Sequence, residues 1–210
     1  MMKTPVYLSR PAMTSALGSG LQTHIDALLA PSETSPLMFS DQWVKGKNFA
    51  FGAVNETLRP LPEDLPAAYH SRNNQLLWHA LEQIEDDIHA AVRRYGAART
   101  AVIMGTSTSG ADENMPLFQH VADGGSWTDK PFNQLQHEMA SPSEFVAHVY
   151  GIHGLCYVVS TACTSGARAL ISAARLLRAG LCDAVICGGV DTLSPLTLNG
   201  FASLGAGGGG

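Results

Sequence analysis

Leu155-Cys156-Tyr157-Val158-Val159-Ser160-Thr161-Ala162-Cys163-Thr164-Ser165-Gly166-Ala167 reads as a short strand, a sharp turn and the first turn of a helix. Leu155 to Val159 is a continuous apolar run of strand length, rich in residues that favour a pleated, buried surface. Thr164 to Ala179 has helical spacing, with Ala167, Leu170, Ile171, Ala174 and Leu177 on one face. Arg168, Arg175 and Arg178 fall largely opposite, and Gly180 is a natural stop. Cys163 sits at the junction. The first N–H groups of a helix have no internal partner and carry partial positive charge, which favours a thiolate over a thiol. The same groups can stabilise an oxyanion on a carbonyl that the sulfur attacks. Small residues on both sides of Cys163 leave room for that carbonyl. From position alone, Cys163 is a candidate nucleophile or one more small buried hydrophobe.

The rest of the chain supplies a frame for this turn. Its 210 residues suffice for one sizeable α/β domain, and 45% hydrophobic against 15% charged residues excludes a disordered chain. A net charge of −5 argues against nucleic acid as partner. The four cysteines, 156, 163, 182 and 187, lack CxxC spacing; three of them, Cys156, Cys182 and Cys187, lie in or beside apolar strand-like runs, which suits buried thiols in a reducing cytoplasm. No signal-peptide core and no apolar run of membrane-spanning length is present. The eight histidines are scattered, so no metal site and no cofactor site is expected.

Outward from the Cys163 turn, three more strands are expected: Val6 to Ser9, Thr100 to Met104 and Asp183 to Cys187. Leu21 to Leu29 reads as a short helix ended by Ala30-Pro31. Residues 31 to 70 hold five prolines and no sustained period, and read as a surface excursion with a short strand near Asn48 to Val54. Asn73 to Tyr95 is the clearest helix, with Leu77, Leu81, Ile84, Ile88 and Val92 on one face. Ser141 is expected to cap a short helix with Pro142 at its first position. Gly105-Thr106-Ser107-Thr108-Ser109-Gly110 is neither a nucleophile elbow nor a Walker A loop. It is an ordinary turn or a loop that approaches a substrate closely. Val190 to Phe201 is expected as loop. Gly205 to Gly210 reads as a tail or a truncated end, leaving residues 1 to 204 as the domain. Strands alternating with helices give an α/β fold with a parallel or mixed sheet and helices on both faces.

Val159-Ser160-Thr161-Ala162-Cys163-Thr164-Ser165-Gly166-Ala167 resembles the active-site motif of the β-ketoacyl-[acyl carrier protein] synthases, condensing enzymes with the thiolase fold. Leu17-Gly18, Met104 to Gly110, Asp183 to Gly189 followed by Asp191, and Asn199-Gly200-Phe201 match further family elements in order. Asp191 stands where the family more often has Glu. Ser71-Arg72-Asn73-Asn74-Gln75-Leu76-Leu77 with Gly105 to Gly110 looks most like the aryl polyene branch. The resemblance implies the N-terminal half of a layered α-β-α-β-α architecture with a mixed five-stranded sheet. It implies that Cys163 takes an acyl group from an acyl carrier protein, and that a malonyl-carrier protein then condenses with loss of CO₂. Thr108 and Phe201 would border the acyl pocket. A homodimer or a ketosynthase heterodimer is implied, paired through the Leu155 to Ser160 strand. The family's two histidines and lysine for decarboxylation fall in a C-terminal half that these residues do not include. The alternatives are a non-catalytic partner subunit of a ketosynthase heterodimer and an unrelated cysteine thioesterase or hydrolase. The chain's four thiols and lack of a leader imply a cytoplasmic protein.

Overall fold

The computed structural model describes residues 4–29, 35–41, 43–44 and 46–205. The expected stop at Ala30-Pro31 and residues 206–210 of the expected tail lie outside them. Three strands form the central sheet, β5 (Thr100–Gly105), β6 (Cys156–Val159) and β7 (Ala184–Gly189), in the order β6-β5-β7 and all parallel. Four shorter strands precede them as two hairpins. β1 (Thr14–Ser15) pairs with β2 (Gly18–Ser19), and β3 (Met38–Ser40) pairs with β4 (Phe49–Phe51).

Every residue of β5 is buried, as a central strand covered on both faces requires. Its side chains alternate. Val102 and Met104 face a core made with Leu77, Trp78 and Leu81 of α2 (Arg72–Leu81), Ile88 of α3 (Glu85–Tyr95), and Phe145 and Val146 of α6 (Ser141–Val149). Ile103 faces the other way, onto Ala169 and Ala173 of α7 (Ser165–Arg178). The in-register neighbours obey the same period: Cys156 and Ile186 flank Val102 and join the first core, and Cys187 flanks Ile103 and joins the second.

The α/β class holds, with helices on both faces of the sheet. The strand count differs: the described residues form a three-stranded parallel sheet rather than a mixed five-stranded one. Val6 to Ser9 takes no strand partner, and Tyr7 and Leu8 are exposed. An extended segment becomes a strand only when another backbone completes its hydrogen bonds.

The long helix is interrupted. A tight 3-10 turn at Glu82–Ile84 separates α2 from α3. The cause lies some seventy residues away in sequence: the Gln83 side chain donates to Met13 O and Thr14 Oγ1 and accepts from Met13 N, while its main-chain carbonyl accepts from Arg10 Nη2. Ser71 caps α2 by accepting from Asn74 N. Ser141 does not cap α6, where it occupies the first helical position. Its hydroxyl accepts from Asn74 Nδ2 and donates to Ala68 O.

α1 (Leu21–Leu29) spans the expected residues. α4 (Met115–Ala122) and α5 (Gln134–His137) lie either side of the irregular stretch around Trp127. Two corrections concern α8 and the hairpin that packs on it. Residues 195–203 form a helix, α8 (Pro195–Ser203), where a loop was expected, because Pro195 sits at the first helical position, where its missing N–H costs nothing. The hairpin β3–β4 is not simply surface: Phe49 and Phe51 are buried with Val44, packed against Leu198 and Ala202 of α8.

Candidate active site

All three sheet strands point their C-terminal ends the same way, and the Cys163 turn lies there. In open parallel sheets this end is where ligands bind. α7 starts at Ser165, so Cys163 precedes it by two residues. The turn is tight: Ala162 holds φ +52°, a left-handed value that costs about 1–2 kcal/mol for a residue with a Cβ. Two hydroxyls close it. Ser165 Oγ accepts from Thr161 N at 2.9 Å and donates to Ala162 O at 2.6 Å, and Thr164 Oγ1 donates to Thr161 O at 2.8 Å. Ser165 is buried, whereas Cys163 is exposed.

Three glycines set the turn against the sheet. A Cβ on Gly105, the last residue of β5, would lie 2.5 Å from Ser165 C and 2.6 Å from Gly166 N. A Cβ on Gly189, the last residue of β7, would lie 3.2 Å from Gly166 Cα. The first turn of α7 therefore rests directly on two strand ends, backbone on backbone. The sequence places Gly105 only in an ordinary turn or substrate loop; the signal for its true role is a glycine at the end of two of the three sheet strands, Gly105 and Gly189.

The glycine-rich loop begins at the same place. Thr106 N donates to Val159 O and Val190 N to Gly105 O, which laces the ends of β6, β5 and β7 together. Asp191 then holds the loop. Its Oδ1 accepts from Thr106 Oγ1 at 2.9 Å, Ser107 N at 2.7 Å, Thr108 N at 3.0 Å and Thr108 Oγ1 at 3.0 Å. Thr108 is buried, and its hydroxyl also accepts from Thr192 N at 3.2 Å. The structure thus joins Thr108 to Asp191, a pairing sequence reading missed. The hydroxyl-rich Thr106-Ser107-Thr108, with an acid just past the other strand, was the available clue. Phe201 stands on α8, with its ring about half exposed, and α8 is seated by Leu198 and Ala202.

The other thiols differ from Cys163. Cys182 is buried. Burial pushes the Cys156 thiol up to about 11, with the Glu144 carboxylate adding to it. Burial likewise raises Cys187, and raises Cys182 against the opposing pull of Arg99. The buried face of α7 is Ser165, Ala169 and Ala173, not the face of larger apolar residues expected from spacing: Leu170 and Ile171 are exposed. Small side chains let the helix approach the sheet closely, so they take the inner face. Among the described residues, no group of three or more His, Cys, Asp or Glu is placed to hold a metal ion. No described helix is long and apolar enough to cross a membrane.

No curated protein matches the chain. A solved structure of the ketosynthase ApeO in complex with its chain length factor ApeC, from Xenorhabdus doucetiae, is similar at 38% identity and a TM-score of 0.85, over 94% of this chain and 50% of that one. The ishigamide ketosynthase/chain length factor matches at 20% identity and a TM-score of 0.74, over 94% of this chain and 51% of that one. A beta-ketoacyl synthase from Burkholderia phymatum STM815 matches at 20% identity and a TM-score of 0.71, over 92% and 48%. The last two show the fold, which is thiolase-like. The chain spans about half the length of these solved relatives. Residues 71–208 match the family described as Beta-ketoacyl synthase, N-terminal domain. With its cysteine turn set on the ends of a parallel sheet, the chain belongs to the beta-ketoacyl synthase family, of which it carries the N-terminal half.

Proposed function

We propose that Cys163 is the acyl-accepting nucleophile of a ketosynthase. One observation carries this reading: Cys163 is the exposed thiol in a strained, hydroxyl-braced turn before a helix N-terminus, while burial holds back the three others. In the first stage the thiolate attacks the carbonyl of an acyl-carrier-protein thioester. The tetrahedral oxyanion collapses, the carrier's thiolate leaves, and an acyl-cysteine thioester remains. Main-chain N–H groups at the start of α7 are suited to stabilise the oxyanion. In the second stage a malonyl-carrier protein loses CO₂, and the resulting carbanion attacks the acyl-cysteine to give a β-ketoacyl-carrier protein and free Cys163.

Four of the described histidines are engaged elsewhere. His24 pairs with Ser15 and Gly20, His70 with Leu65 O, His79 with Ser19 and Glu56, and His120 with Asp129. On the family resemblance, we assign the donors that assist decarboxylation to the rest of a full-length ketosynthase. The acyl pocket is bordered by Thr108 and Phe201, and the aryl polyene branch is the favoured pathway, on the resemblance of Ser71 to Leu77 together with Gly105 to Gly110. The protein works in the cytoplasm with an acyl carrier protein and a second ketosynthase-type subunit, either its own copy or a chain length factor.

The test is acyl transfer from a radiolabelled acyl-carrier protein. Label on the Cys163 peptide, absent in Cys163→Ala, is expected. Label without condensation but with free acid release would favour a thioesterase instead. Because relatives of this chain are solved as ketosynthase and chain length factor pairs, a partner-subunit role is the second reading, and failure of Cys163 to acylate in the intact complex would favour it.

A further inference from the structure

We propose that Asp191 is a positioning residue: it fixes the Thr106–Thr108 loop and so sets how long an acyl group fits beside Cys163. The proposal rests on the reading of Cys163 as the acyl acceptor. Its basis is the convergence of four donors on one carboxylate oxygen, two hydroxyls and two main-chain N–H groups, all from three consecutive residues. A loop of Thr and Ser has no apolar anchor of its own. Charge-assisted hydrogen bonds are the strong ones, and here they are concentrated on one side chain.

The placement sets this clamp beside the strand end that leads to Cys163. Thr106 leaves the sheet between the end of β6, through Thr106 N to Val159 O, and the first turn of α7, against which Gly105 packs. The loop is therefore next to the strand that leads into the Cys163 turn. Thr108 is held from both sides, donating to Asp191 and accepting from Thr192 N. Its one hydroxyl proton is thus committed within the protein, so it donates none to a substrate. Ser109, at φ +45°, extends the restraint: its N–H donates to Thr106 Oγ1, and its hydroxyl donates to Glu138 O at 2.7 Å. The loop is pinned at both ends, and Asp191 is the part supplied from the far side of the sheet.

The experiment uses the full-length protein and three variants, Asp191→Ala, Asp191→Asn and Asp191→Glu. Hydrogen exchange is read at Ser107 and Thr108, and Cys163 is labelled with N-alkyl iodoacetamides of increasing chain length. In Asp191→Ala the two loop amides are expected to exchange roughly tenfold faster or more, the loss of at least one charge-assisted hydrogen bond. The preference of Cys163 among the long and short reagents is expected to flatten, while labelling by plain iodoacetamide persists. Asp191→Asn should fall between, and Asp191→Glu, which keeps the carboxylate, should restore both protection and preference. Unchanged loop exchange, or an unchanged chain-length preference, would overturn the proposal. So would loss of protection throughout β5, since the carboxylate would then be holding the sheet rather than the loop. If the parent protein labels preferentially at another cysteine, the assignment of the acyl acceptor fails instead, and the exchange of the loop amides still judges the clamp.

Discussion

At the scale of single residues, the thiols separate by burial. Limited iodoacetamide at pH 8 is expected to modify Cys163 first, as read by peptide mapping; earlier modification of Cys156, Cys182 or Cys187 would remove Cys163 from its role. Raising the pH should bring Cys156 in last, since burial lifts its thiol from 9.0 to about 11. The same shift has a stability consequence. A thiol whose folded value is raised stays protonated in the fold after the unfolded chain has released its proton. Its contribution is complete below about 9 and declines as the pH climbs toward about 11. Urea midpoints across this window should fall in the parent protein and fall less in Cys156→Ala. Ser165 is the second testable residue. Losing its bonds to Thr161 N and Ala162 O in Ser165→Ala should cost about 1–2 kcal/mol and slow alkylation of Cys163. The motif around Cys163 was legible because an apolar run, a small-residue turn and a helical period meet there. The Asp191 clamp was not, because its partners lie more than eighty residues away in sequence.

At the scale of elements, the strands of the sheet were read nearly to the residue, since a strand buried on both faces is a continuous apolar run. The helices were read less well, each for a physical reason. Leu81, Ile84 and Ile88 keep one side of the chain apolar through Glu82–Ile84, so period alone cannot reveal a break made by Arg10 and Met13. On α7 hydropathy selects the large residues, but contact with the sheet selects the small ones, Ala169 and Ala173. A proline within Val190 to Phe201 favours a loop by composition, yet Pro195 opens α8. The contact between α7 and the sheet gives a paired prediction. Gly105→Ala should destabilise the fold by about 3 kcal/mol, because its Cβ meets main-chain atoms that cannot rotate away. Gly188→Ala, one residue from the end of β7, meets nothing within 4 Å and should be far milder. Equal urea midpoints for the two variants would contradict the close-packed arrangement.

At the scale of the whole molecule, β6 ends the sheet. Leu155 and Tyr157 are exposed along it, and an apolar edge of this kind is normally covered by another chain or segment. Light scattering of the full-length protein at micromolar concentration is expected to show a dimer. Tyr157→Lys should shift it toward monomer without disturbing the core, because this side chain already lies outside. A dimer unaffected by that change would place the interface elsewhere. Residues 1 to 210 alone are expected to form no β-ketoacyl product from acyl- and malonyl-carrier protein, because the decarboxylation donors are assigned to the rest of a full-length ketosynthase. Product that is lost in Cys163→Ala would show that the decarboxylation chemistry resides within these residues. The family and the α/β class were legible in the sequence because they depend on local motifs and order. The number of strands in the sheet was not, since pairing is decided by which backbones meet.

The glycine contact sets the first turn of α7, just after Cys163, backbone on backbone against the strand ends. Side chains can hop between rotamers, but two backbones in contact have none to exchange. The position of the Cys163 turn is therefore inherited from the twist of β5 and β7 rather than tuned by a layer of packing. Redesigning the pocket walls should leave the sulfur where it is, while moving the sulfur would require rebuilding the strands themselves.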